Sequence, residues 1–156
     1  MVCGLMKKLL IILLFLIVLG GCMVCPEGQY WEYYFDFPHG DEITNVYNAW
    51  HWVISNTIYQ QDEIDEWKTP EETYRDGFGD CEDRAILMMY LCYQYAEETP
   101  TLVKIDRIDT IHMIVEVDGI LYDTERIIFG PIEELQYEIL DTYTYGEAMY
   151  MAAYQL

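Results

Sequence analysis

Three side chains in this sequence have the types and spacing of a thiol acyl-transfer site: Cys81, His112 and Asp123. Cys81 sits in Gly79-Asp80-Cys81-Glu82-Asp83-Arg84-Ala85, among three carboxylates and just before an apolar run. The thiolate is the reactive form of cysteine and positive neighbours favour it, so these acids oppose a nucleophile unless they have another task. A helix start supplies one, because its dipole and free N–H groups stabilise carboxylates while lowering the pKa of a first-turn cysteine. Sequence alone does not decide which effect wins. His112 and Asp123 are related by a hairpin, in which Asp118-Gly119 is a two-residue turn signal between alternating runs at 110–117 and 120–124. With that turn, Val117 pairs with Ile120, Glu116 with Leu121, Val115 with Tyr122 and Ile114 with Asp123. His112 then lies diagonal to Asp123 on one face. Diagonal neighbours are about 7–8 Å apart at the backbone, a gap that an imidazole and a carboxylate can close with one hydrogen bond. A cysteine at a helix start and a His–Asp pair on a hairpin packed against it supply nucleophile, base and orienter.

The elements that must position these groups follow from periodicity. Val46, Ala49, Trp50, Val53, Ile54, Thr57 and Ile58 repeat with the spacing of an amphipathic helix over 45–59. Pro70 with Glu71 and Glu72 opens a short helix that Gly77 and Gly79 end. Residues 81–96 are apolar nearly all round, the mark of a buried helix, with Asp80 as N-cap and Asp83 three residues on in the manner of a capping box. A further strand is expected over 104–109. Pro131 starts a helical stretch with Ile132, Leu135 and Ile139 on one side. The tyrosine-rich tail after Asp141 has no clear period.

The chain has 156 residues and a formal charge of -20, enough to bury one core. Lys7 and Lys8, the apolar run 9–19 and Gly20-Gly21-Cys22 have the layout of an exported leader, with an apolar run short for a membrane span. Residues 1–21 are therefore read as a signal peptide, and Leu19-Gly20-Gly21-Cys22 looks like a bacterial lipobox with Cys22 as the lipidated residue; the alternative is a secretory signal cut elsewhere. Residues 22–41 become a tether and 42–156 the folded domain, held by its lipid to the membrane of a bacterial cell envelope, at an outer membrane or the cell surface. Loss of the leader takes the charge to -22, a field that repels nucleic acid and favours cations. Cys81 and Cys92 are the cysteines left within the domain, and along one helix eleven residues span about 16 Å, too far for a disulfide. Cys92 reads as a small core residue. His39 reads as a loop residue and His51 as a packing residue, and the three histidines have no zinc-site spacing.

Trp67-Lys68-Thr69-Pro70-Glu71-Glu72-Thr73, then Gly79-Asp80-Cys81-Glu82-Asp83-Arg84-Ala85, then His112 and Tyr122-Asp123 resemble the transglutaminase-like superfamily, closest to its bacterial cysteine peptidases. The resemblance covers about residues 45–125. It implies an α+β, papain-like fold with a central nucleophile helix packed on a small antiparallel sheet. It also implies Cys81 as nucleophile, His112 as base and acid, Asp123 as orienter and a protein or peptide substrate. An upstream side chain assists the oxyanion in such enzymes, which points to Tyr59 or Gln60; the Cys81 backbone N–H is a more general donor. Some of these peptidases bind calcium through acids around the cysteine, here Asp80, Glu82 and Asp83. The chemistry itself requires no cofactor. The expected activity is hydrolysis through a thioester, with crosslinking by an amine acceptor and a non-catalytic, partner-binding lipoprotein as alternatives.

Overall fold

The computed structural model describes residues 34–61, 66–107, 110–126, 128–131, 134 and 137–154. The leader, Cys22 and most of the tether lie outside them. Asn45 caps α1 (Val46–Asn56), its side chain accepting the Asn48 N–H at 2.9 Å. The helix stops three residues short of the expected end because Ile58–Tyr59 form β1, a two-residue strand parallel to β2 (Phe78–Gly79). Between these strands lies α2 (Pro70–Asp76), opened by a capping box of Thr69 and Glu72 and closed by Gly77 at φ 72°, a left-handed conformation that glycine adopts without strain.

The buried helix α3 (Cys81–Tyr95) is followed by β3 (Thr101–Asp106), β4 (Ile111–Val117), β5 (Ile120–Asp123), β6 (Ile128–Pro131) and β7 (Glu138–Thr144), and α4 (Tyr145–Tyr154) ends the described chain. The five long strands make one antiparallel sheet in the order β6-β5-β4-β3-β7. This is the expected α+β class. The hairpin register has Val117 opposite Ile120, Glu116 opposite Leu121 and Val115 opposite Tyr122, as the Asp-Gly turn dictates. β3 begins at Thr101, earlier than expected, because Thr101, Leu102 and Val103 suit a pleated, half-buried surface. The expected helical stretch after Gly130 falls mostly outside the described residues, Ile132 and Leu135 included, and Glu134 within it is helical; its two ends differ from the expectation. Pro131 instead ends edge strand β6, where its missing N–H costs no ladder bond, and Ile139 belongs to β7.

The sheet's two faces carry different clusters. Leu102, Met113, Val115 and Val117 pack with α3 residues such as Ile86, Leu87 and Met89, while Val103, Ile105, Ile114 and Leu121 form a smaller cluster. Phe35 and Phe37, from the stretch read as tether, belong to the larger core. Tyr90 fixes Phe35, its hydroxyl accepting the Phe35 N–H at 3.1 Å and donating to the Phe35 carbonyl at 2.7 Å. Tyr90→Phe removes both bonds from a buried site, and denaturant unfolding of this variant should show a loss of about 1–3 kcal/mol.

Candidate active site

Cys81 is the first residue of α3, and Asp80 occupies the N-cap position. The expected capping box is corrected: the Asp80 side chain makes no cap hydrogen bond, and Asp83 turns inward to another partner. Its Oδ1 accepts the Lys68 backbone N–H at 2.8 Å and its Oδ2 lies 3.3 Å from Lys68 Nζ. Asp83 packs so tightly on Gly79 that a Cβ at that position would fall 2.5 Å from the Asp83 Cβ. The Cys81 thiol donates to Glu82 Oε2 at 3.1 Å, and the Met113 backbone N–H also faces the sulfur. Burial first, and the Glu82 charge second, raise the thiol's pKa above that of an ordinary cysteine. The acids and burial therefore prevail over the helix dipole in this structure.

The hairpin end holds a charged network. His112 and Asp123 are 3 % and 1 % exposed, with Nε2 3.0 Å from Asp123 Oδ1 and the ring N–H off the line between them. Asp123 Oδ1 also accepts the backbone N–H groups of Glu125 at 2.8 Å and Arg126 at 3.0 Å. Burial raises the Asp123 pKa, but His112 and these N–H groups outweigh it and hold the carboxyl below its ordinary value. Trp50 on α1 donates its indole N–H to the Asp123 carbonyl at 3.0 Å, which fixes the end of β5. The other imidazole nitrogen, Nδ1, is 3.6 Å from Glu125 Oε2; Arg107 Nη1 bonds that oxygen at 2.7 Å and lies 3.8 Å from Asp123 Oδ2.

The thiol and the imidazole are not hydrogen-bonded to each other. By strand alternation His112 and Asp123 share the face of Ile105, Ile114 and Leu121, while Met113 faces α3. The sulfur thus meets β4 at Met113, one residue past the imidazole, and its hydrogen bond goes to Glu82. The expectation of a His–Asp pair packed against the cysteine helix is met for His112 with Asp123 and not for His112 with Cys81.

Pairing of β1 with β2 brings Tyr59 opposite Gly79, and the Gln60 N–H donates to the Gly79 carbonyl at 3.0 Å. Burial, then the nearby Cys81, raises the Tyr59 pKa, so its hydroxyl remains a proton donor at neutral pH. Gln60 is exposed. Arg84, buried one turn beyond the cysteine, donates Nε to Thr57 Oγ1 at 2.9 Å, and its charge faces Asp123 and Glu125. Arg107, Glu125, Lys68 and Trp50 are the site residues that sequence reasoning passed over. Glu125 had one signal, its place two residues beyond Asp123; Arg107 falls within the strand expected over 104–109 but just past the end of β3, and Lys68 lies in a connection where no period applies.

The acids offered to calcium, Asp80, Glu82 and Asp83, stand apart from the side chains whose ligand atoms converge. Calcium takes six to eight oxygens at about 2.3–2.6 Å, and among the described residues the ligand atoms that converge belong to His112, Asp123 and Glu125, not to Asp80, Glu82 and Asp83. Arg107 already supplies a cation to the converging group.

Glu82 controls the thiol through both its hydrogen bond and its charge. In Glu82→Gln the thiolate loses a negative neighbour, so the pH midpoint for Cys81 alkylation should move down and the rate at neutral pH rise about tenfold. Iodoacetamide kinetics against pH check this.

No protein-family model matches the sequence, and no curated protein matches it. Solved structures do. LapG of Legionella pneumophila superposes with a TM-score of 0.57 at 18% identity, over 67% of this chain and 69% of LapG. Its calcium-bound form gives 0.57 at 19% identity over the same shares. A candidate cysteine protease of Cytophaga hutchinsonii gives 0.51 at 17% identity, over 63% of this chain and 35% of that larger protein. The chain shares the fold of these proteins.

Proposed function

We propose that this protein is a lipid-anchored, extracytoplasmic thiol hydrolase that cleaves peptide or amide bonds through Cys81, His112 and Asp123. The observation that carries the reading is the buried His112–Asp123 pair, 3.0 Å apart, beside the strand residue whose N–H meets the Cys81 sulfur. The fold shared with a candidate cysteine protease supports it.

In this reading the thiol exchanges its Glu82 partner for His112 when substrate binds, a tightening that resting active sites commonly leave to the substrate complex. His112 takes the thiol proton, the sulfur attacks the substrate carbonyl, and the C–N bond breaks as His112 protonates the departing amine. Water then attacks the thioester, delivers a proton through His112 and restores the thiol. The Cys81 backbone N–H is one donor to the oxyanion, and Tyr59, kept protonated beside the cysteine, is a second. Asp123 orients the imidazole. An amine in place of water would give crosslinking. No cofactor enters these steps.

The rival is a non-catalytic surface lipoprotein that binds a partner, favoured by the thiol's hydrogen bond to Glu82 and by the sheet face on which His112 lies. Assay of the purified full chain on peptide libraries and denatured proteins, with iodoacetamide labelling at neutral pH, separates the two. The enzyme reading expects turnover that Cys81→Ser abolishes, and labelling at least about tenfold slower in His112→Ala. Absence of turnover together with labelling indifferent to His112→Ala would leave the binder.

A further inference from the structure

We propose that the Lys68 ammonium is this chain's own cation for the acidic start of α3, so that the fold closes over Cys81 without calcium. The start of α3 buries Asp80, Glu82 and Asp83 within four residues of chain, with Asp83 fully buried. An ionised carboxylate in such a place must be paired or must bind a cation.

Lys68 meets that need twice over for Asp83, once through its backbone N–H at 2.8 Å and once through Nζ at 3.3 Å, one contact to each carboxylate oxygen. The ammonium is not a passing surface group. Its side chain is 18% exposed, and Nζ stands 4.5 Å from the centre of the Phe78 ring, within cation–π range. Trp67 before it packs edge-on against Tyr143, and Thr69 after it caps α2, so the chain on both sides of Lys68 is fixed.

With both Asp83 oxygens in contact with Lys68, no three His, Cys, Asp or Glu side chains of the acidic turn converge among the described residues, whereas calcium sites draw on several carboxylates. LapG, whose fold this chain shares, has been solved in a calcium-bound form. In this chain a covalently attached cation occupies Asp83. The inference does not depend on the catalytic reading: a chain without hydrolytic activity would need the same cation to bury Asp83.

Melting of the purified full chain tests it. The wild-type Tm should agree within about 1 °C between calcium and EGTA, each at about 5 mM. Lys68→Met keeps the stem and removes the charge; its Tm should fall by about 10 °C. Lys68→Arg keeps a cation there and should remain indifferent to calcium, which preserves the test if Lys68→Met does not fold. A wild-type Tm that drops several degrees in EGTA would overturn the inference, as would a Lys68→Met chain that melts within about 1 °C of wild type.

Discussion

The site depends on how this acidic chain compensates charge that it buries. Leaving an ionised carboxylate unpaired in the interior costs several kcal/mol, and Asp80, Glu82, Asp83 and Asp123 are all buried near one another. The chain has eight Lys and Arg against 28 Asp and Glu. Two of the eight fall in the leader, and of the other six, three stand against these acids: Lys68 on Asp83, Arg84 facing Asp123 and Glu125, and Arg107 between the same two carboxylates. A chain this poor in cations concentrates them where carboxylates are buried, and the exposed acids are left to solvent.

These ion pairs also join elements that hydrophobic packing alone would leave loosely registered. Lys68 ties the connection before α2 to the start of α3; Arg84 ties α3 to α1 through Thr57, whose hydroxyl donates in turn to the Val53 carbonyl at 2.8 Å. Trp50 ties α1 to the end of β5 through the Asp123 carbonyl. α3, α1 and the β4–β5 hairpin are thus connected by directional contacts between residues far apart in sequence. Apolar burial supplies the larger share of stability, but it is non-directional; these bonds fix where Cys81 and Asp123 stand relative to the core.

What could be read from the sequence was whatever is local. The Asp-Gly turn set the hairpin register, and from it the closeness of His112 to Asp123, because a two-residue loop leaves one pairing open. The Pro70 helix and the buried run after Cys81 were equally plain. What escaped was long-range: β7 pairs with β3 across the sheet, so Ile139 lies in a strand although its spacing from Ile132 and Leu135 suits a helix. Lys68 pairs with Asp83 fifteen residues away, and Asp83 therefore abandons the capping role its position suggests. Local spacing also says nothing about which side of the sheet faces α3, and that is where the expectation for the thiol and imidazole falls short.

That arrangement has a consequence for how such a site could work. The thiol and the imidazole each already have a carboxylate beside them, Glu82 at the sulfur and Glu125 at Nδ1. Both hold charge against the formation of a thiolate. Arg107 neutralises Glu125 directly, its Nη1 2.7 Å from Oε2. His112 stands between Asp123 and the Arg107-neutralised Glu125, while the Cys81 sulfur is held by Glu82 and the Met113 N–H. Because His112 lies on the sheet face opposite the one that meets α3, the proposed contact between sulfur and imidazole requires more than rotation of the Cys81 side chain.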